Sequence, residues 1–367
     1  QMGWTLPYQF GVQYSASRSP LDMSMAQVDE IVFTEGKISG RPGYAYALSH
    51  QENKSFTAMN RVLKAGGRIL WTTEAFSREN ENFPTGTILI LSDSIDRQVM
   101  ETIAEDLDLA ITGFSGKPDA DTMEIKTTRL GLYQSWVANA DEGWTRYLME
   151  KYEFPFTLLH DADIRAGRLH ENYDSIIMPS FYRSESIVNG HQKGTVPPKY
   201  AGGISTDGVR SLQEFVENGG TLICLDNTCN FAIESLHLPV RNILKNVDRE
   251  DFICNGSILR IEFNQDNPVA YGMTPEAAGM FSNSCAFDIL PAYEDKKKPD
   301  SAAKYAKEHL LMSGWIHGEK LIQQKSAILD VPKGQGRVIL LGFPVQFRAQ
   351  PYGTFKLLFN SIFLGGR

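Results

Sequence analysis

The stretch that decides the fold is Gly219-Gly220-Thr221-Leu222-Ile223-Cys224-Leu225-Asp226-Asn227-Thr228-Cys229-Asn230-Phe231-Ala232-Ile233-Glu234. A short apolar run follows a glycine pair, breaks at Asp-Asn-Thr and resumes with helical spacing, which reads as a buried strand, a tight turn and a helix. Turns of this kind hold the nucleophile in many α/β enzymes. Two registers are open: one puts Cys224 at the turn, and counting strand residues from Gly219 puts Asp226-Asn227 there, residue types that tolerate left-handed backbone. The second fits better. It makes Cys224 a core thiol and places Cys229 in the first helical turn, where the helix N-terminus would lower its pKa.

Outward from this stretch the chain alternates strands and helices. Arg129 to Gln134 and Tyr173 to Pro179 read as strands, with a helix carrying Trp144, Tyr147 and Leu148 and Asp141 as its N-cap. A polar loop runs from Ser180 to Ile204, a length that in compact domains usually accompanies function. A helix from Thr206 leads into the opening strand. Gly336 to Phe343 gives a last buried strand, and Thr354 to Leu364 a helix. This order implies parallel pairing with right-handed crossovers, and residues 128–367 form one α/β domain with an insertion at about 240–325. Upstream, 1–25 is a lead-in segment without a core of its own. Residues 26–115 are a smaller α/β domain with strands at Ile31-Val32-Phe33, Tyr44 to Leu48, Arg68 to Trp71 and Thr87 to Leu91. Residues 116–127 are a polar linker.

Composition narrows the function classes. The chain has 367 residues, 42% hydrophobic and 22% charged, with net charge -8, which is ordinary for a globular protein. Its one tight basic run, Lys296-Lys297-Lys298, sits beside Pro299-Asp300 and reads as a solvated loop, so nucleic acid is not the expected partner. No apolar run approaches the ~18 residues of a membrane span, and Gln1 to Gln9 lack the order of a signal peptide. The cysteines, Cys224, Cys229, Cys254 and Cys285, lack zinc spacing and read as buried thiols. The histidines form no His-x-x-x-His or His-x-x-Glu, so neither a metal nor a cofactor is expected. His191, in the long loop, is the one to watch.

Ligands of doubly wound sheets bind beyond the carboxyl ends of the strands. That rule selects Gln134, Ser180, Asp226, Asn227, Arg348 and Gln350 as candidate binding residues. The late phrase Val345-Gln346-Phe347-Arg348-Ala349-Gln350, with the strand-turn-helix, resembles the class I glutamine amidotransferases, whose last strand ends in Val-Gln-Phe-His-Pro-Glu. The resemblance covers about 128–238 and 330–367 and implies a flavodoxin-like doubly wound sheet. Its chemistry is missing. Arg348 stands where the general base should be and stays protonated. Gln350 replaces the carboxylate that orients the base, and Pro179-Ser180-Phe181 replaces the glycines that aim N–H groups at an oxyanion.

A second resemblance is wider. Tyr133-Gln134-Ser135-Trp136, Asp141-Glu142-Gly143-Trp144-Thr145-Arg146, Asp161-Ala162-Asp163-Ile164-Arg165-Ala166-Gly167, Phe347 to Lys356 and Gly3-Trp4-Thr5-Leu6-Pro7 are similar to the region following the catalytic domain in bacterial zinc carboxypeptidase-like proteins. It implies an accessory region beside an upstream metallopeptidase domain, in the periplasm or outside the cell. The expectation is a pseudoenzyme whose crevice takes a peptide or cell-wall fragment, with an Asp226–Arg348 pair able to tie the strand ends together. The alternatives are a cysteine-dependent hydrolase using Cys229 or Cys224, and a purely structural docking module.

Overall fold

The computed structural model describes residues 6–15, 17, 19–29, 35–78, 81–291 and 298–365. The strand expected at Ile31-Val32-Phe33, the Gly3-Trp4-Thr5 phrase and Lys296-Lys297 lie outside these residues.

Strands β1 (Lys37–Gly40), β2 (Ala45–Leu48), β3 (Ile69–Thr72), β4 (Ile88–Leu91), β5 (Ala110–Phe114) and β6 (Thr122–Ile125) form one mixed sheet in the order β1-β5-β2-β4-β3-β6. Among the described residues, β1 and β5 are the one parallel pair of this sheet. Helix α1 (Lys54–Lys64) buries Phe56, Met59 and Val62, spaced to form one apolar stripe, and the chain leaves it through Gly66 at φ 82°, as a left-handed helix stop requires. Helix α2 (Arg97–Leu107) starts on Asp96, whose carboxylate accepts the Gln98 N–H. The 116–127 stretch is not wholly a linker: β6 lies within it and pairs with β3 from Thr122 to Ile125. Its polar residues fit an edge strand with one face open to water.

The second sheet holds β7 (Leu130–Tyr133), β8 (Phe156–Leu159), β9 (Ser175–Met178), β10 (Thr221–Leu225), β11 (Asn255–Phe263), β12 (Glu276–Ser282), β13 (Asp300–Tyr305), β14 (Ser326–Lys333) and β15 (Gly336–Leu341). Their order is β8-β7-β9-β10-β15-β14-β13-β11-β12. The run from β8 to β15 is parallel, and from β15 onward every pairing is antiparallel. Residues 240–325 are therefore no separate body. They enter between β10 and β15 in sequence, yet their strands continue the same sheet.

Helices α3 (Ala140–Lys151), α4 (Ser205–Glu217), α5 (Thr228–Ser235) and α6 (Phe355–Phe363) accompany the parallel half. Strands β9 and β10 are buried throughout, as strands with both faces covered must be. Alternate residues serve alternate faces. Ile176, Leu222, Cys224 and Val338 meet Leu212, Phe215 and Val216 of α4. Ile177, Ile223, Leu225 and Ile339 share a core with α6, with Phe56 and Met59 of α1 and with Trp71 of the first sheet. Through α6 the two sheets share one apolar core. Its polar centre is His50, whose Nδ1 lies 2.5 Å from Gly86 O and Nε2 2.7 Å from Asn360 Oδ1, while the Asn360 amide donates to Val269 O and Tyr271 O.

Candidate functional site

β10 ends at Leu225, and Asp226 turns the chain at φ 46° while its N–H donates to Leu341 O at 2.7 Å. Asparagine and aspartate tolerate this left-handed backbone, so the turn falls in the register that puts Asp226-Asn227 at the elbow. Cys224 lies within the strand and is fully buried. Cys229 does sit in the first turn of α5, but it is also fully buried and its thiol donates to Cys224 O at 3.3 Å. Burial, with Cys285 alongside, pushes the Cys229 thiol well up, and burial does the same to Cys224. The lowering expected from the helix N-terminus is overridden by desolvation.

The start of α5 is tied to the loop after β9. Thr228 Oγ1 donates to Pro179 O at 2.6 Å and accepts the Phe181 N–H at 3.0 Å. This clamp holds Ser180 between two carboxyl groups: its N–H donates to Asp141 Oδ2 at 2.8 Å and its hydroxyl to Asp226 Oδ2 at 3.3 Å. Asp141 is free for this because it is not the cap of α3. Asn139 is, its Oδ1 accepting the Asp141 N–H at 2.9 Å and its amide donating to Ser180 O at 3.0 Å. Gln346, fully buried after β15, donates to both Asp141 oxygens at 3.1 and 3.0 Å and to Thr145 Oγ1 at 3.1 Å.

Two acids thus meet at the strand ends, and among the described residues no cation pairs with either. Burial pushes the Asp226 carboxyl up to about 7, with the Asp141 charge adding to the rise and the Ser284 and Ser180 hydroxyls opposing it. Burial pushes Asp141 up to about 6, against the Ser180 N–H and the Gln346 amide. Asp226 Oδ1 and Gln346 Oε1 have no hydrogen-bond partner among the described residues. Such acids can hold a proton, accept a cationic group or donate to an acceptor near neutral pH.

The other candidates are placed as follows. Asn227 donates to Asp226 Oδ2 at 3.2 Å, so Ser180, Asp226 and Asn227 come together as expected. Gln134 bonds Glu142 Oε2 at 3.4 Å, outside this network. Arg348 does not pair with Asp226; it is exposed, with its guanidinium 5.3 Å from the Phe347 ring centroid. At Arg348 and Ala349 the backbone is left-handed, φ 50° and 53°. Gln350 is half-buried with its Oε1 unpartnered. His191 bonds Trp136 O at 3.0 Å and fixes its own loop. Asp141, Asn139, Thr228 and Gln346 are additions to the expected set. The doubled acid-amide signal Asn139-x-Asp141 was the available clue, since only one of the two can cap the helix.

Two cavities of about 400 Å³ open beside this network, and Tyr182, 91% exposed, borders both. One, lined by Val137, Asn139, Phe181 and Ser186, lies between the exits of β7 and β9, where the strand order reverses and where open α/β sheets take their ligands. The other is lined by Arg249, Asn255, Asn283 and Ser284. Among the described residues no cluster of three or more His, Cys, Asp or Glu side chains is arranged to hold a metal ion, and no helix is long and apolar enough to cross a membrane.

No family model matches the chain, and no curated protein matches its sequence. Similar solved structures include a cytoplasmic protein from Salmonella typhimurium, 15% identical, covering 64% of this chain and 97% of that one with a TM-score of 0.39. A ThuA-like protein from Bacteroides uniformis is 12% identical over 67% and 94%, TM-score 0.34. A GMP synthase-type protein from Thermoplasma acidophilum is 8% identical over 65% and 94%, TM-score 0.40. The function proposed below rests on this chain's own residues.

Proposed function

We propose that the chain is a non-catalytic, ligand-binding region on a flavodoxin-like sheet of the class I glutamine amidotransferase type, serving as an accessory region of a zinc carboxypeptidase-like protein. The parallel order β8-β7-β9-β10-β15 is second, first, third, fourth, fifth in the chain, the flavodoxin-type order with its switch point at the first and third strands. The observation that carries the binding reading is Asp226. It holds the left-handed elbow position, buried, next to a second acid and without a counter-cation among the described residues. Stability alone does not favour such an arrangement, and binding sites are where it is retained.

The ligand class that fits is a short peptide, including a cell-wall peptide. Its ammonium would meet Asp226 and Asp141, and its carboxylate an exposed arginine, Arg348 or Arg249. Enzymatic use of Cys224 or Cys229 is less well supported, because both thiols are buried and held protonated. The peptidase link comes from the sequence phrases, and a His-x-x-Glu domain encoded upstream of these residues in the same reading frame is its test.

Calorimetric titration with Ala-Ala dipeptide and a muropeptide tests binding. We expect saturable binding that is stronger at pH 8 than at pH 5, because the acids must be ionised to meet an ammonium. Asp226→Asn should weaken it roughly tenfold or more, the loss of one charge-assisted partner. Absence of saturable binding at pH 8 would leave the docking-module reading in its place.

A further inference from the structure

Another buried titratable group lies at the start of α6, outside the elbow network. Lys356 is the second residue of α6 and is 5% exposed. Its Nζ makes one hydrogen bond, to Gly353 O at 3.3 Å, and no ion pair engages it among the described residues. Nothing in the helix compensates for this, since the first turn carries the positive end of the helix dipole. Burial lowers the ammonium to about 8.

This lysine lines a cleft of about 620 Å³ between the two sheets. The walls come from Phe10 and Gly11 of the lead-in segment, the Gln51–Lys54 turn, α3 and the Gly272–Thr274 loop. Phe10 stacks on Tyr352 with ring centroids 5.0 Å apart, and Gly353 N–H donates to Gln9 O at 2.9 Å, so the lead-in segment closes one side. The charges facing the cleft are unbalanced. Lys54 is paired with Asp108 and Glu153 with Arg61, whereas Lys151 has no ion pair among the described residues, donating to the Tyr352 hydroxyl at 2.8 Å and lying over the Tyr152 and Tyr352 rings. That leaves two ammonium groups, Lys151 and Lys356, against Glu52, whose carboxyl burial raises. Asn53 Oδ1 adds a polar atom with no partner among the described residues.

A buried ammonium without a counter-ion costs several kcal/mol, and a site keeps one where a ligand supplies the missing charge. We propose that this cleft binds a small organic monocarboxylate, its carboxylate on Lys356 at the start of α6 and its apolar body against Tyr152, Tyr352 and Met273. The same helix end that disfavours the lysine charge favours an anion. The titratable groups facing Lys356 are His50, Glu52, Lys54, Lys151, Tyr152, Glu153 and Tyr352; this site shares no residue with the Asp141–Asp226 network.

The test is calorimetric titration of the full chain with benzoate and butyrate, in buffers of differing ionisation enthalpy. At pH 8, near its midpoint, Lys356 must gain about half a proton on binding, so the apparent heat should depend on the buffer. At pH 6 it should not. Lys356→Met should weaken binding by roughly thirtyfold, the lower range for removing one partner of a buried charge pair, and Asp226→Asn should leave it unchanged. In wild type, saturating benzoate should slow acetylation of Lys356 by acetic anhydride, read by mass spectrometry, which needs no variant to fold. No saturation by either acid, equal binding by Lys356→Met, buffer-independent heat at pH 8, or unprotected Lys356 would each overturn the proposal.

Discussion

Replacing Asp226 by Asn removes the charge at the elbow and keeps a residue type that accepts φ 46°. The folded carboxyl is raised from 3.8 to about 7. Its proton therefore contributes stability that is complete below the unfolded value and is lost as pH rises through about 7. A rise of about three units, at about 1.4 kcal/mol per unit, makes the ionised group cost about 4 kcal/mol at pH 8. Against this stands the new amide N–H group. It falls where Oδ1 has no partner, and an unsatisfied buried donor costs about 2 kcal/mol. The variant should thus be about 2 kcal/mol more stable than wild type at pH 8 and about 2 kcal/mol less stable at pH 4, where the wild-type acid is already protonated. Urea unfolding followed by tryptophan fluorescence at pH 4, 6 and 8 measures the difference. His50, lowered to about 4 by burial, loses its contribution as pH falls from about 6.5, but it is present in both proteins and cancels. A difference of the same sign and size at pH 4 and pH 8 would refute the reasoning.

Cys229, enclosed and held protonated, should be labelled by iodoacetamide in the native protein no faster than the protein unfolds; fast, selective labelling seen by mass spectrometry would restore the cysteine-hydrolase reading. His50→Ala removes a ring packed against Phe56, Trp71 and Tyr271 and leaves the Asn360 and Gly86 oxygens facing a dry core. It should cost about 3–5 kcal/mol in urea unfolding, and a loss under about 1 kcal/mol would show that these contacts contribute little. Thr228→Val keeps the shape but strips the clamp on Pro179 and Phe181. We expect a loss of about 1–3 kcal/mol and weaker peptide binding in the crevice, because Ser180 is no longer held between the acids. Unchanged binding would mean that Ser180 is positioned by other contacts.

The elbow was legible because strand length chose between two registers, and because aspartate is one of the few residue types that suit the left-handed backbone at position 226. The inner parallel strands β7, β9, β10 and β15 were legible because strands covered on both faces are continuously apolar, whereas β8, half-exposed at the edge, was not. Edge and antiparallel strands were not: β6 carries Thr122 and Glu124 on open positions and looks like a linker until its pairing with β3 is seen. Within the 240–325 insertion the strand over Ser257 to Phe263 is readable as β11, but the irregular segments between the strands and the lack of flanking helices hide how they continue the sheet. In the site, proximity along the chain misled. Arg348 follows the last strand but turns outward through two left-handed residues, while Gln346, two residues earlier, turns inward to Asp141. The cap of α3 was misassigned because Asn139 and Asp141 both suit it chemically, and only the fold shows which one the loop after β9 leaves free.

The position of β15 bears on the order in which the molecule can assemble. It lies between β10 and β14 and, among the described residues, is the one strand joining the parallel half to the antiparallel half, and α6, which bridges both sheets, follows it. During synthesis the earlier strands emerge with open inner edges, and their partner arrives more than a hundred residues after β10. Such a sheet cannot close segment by segment behind the ribosome. Its contacts are long-range, its folding is expected to be slow, and a nascent chain stalled before residue 336 would present two unpaired edges to its neighbours.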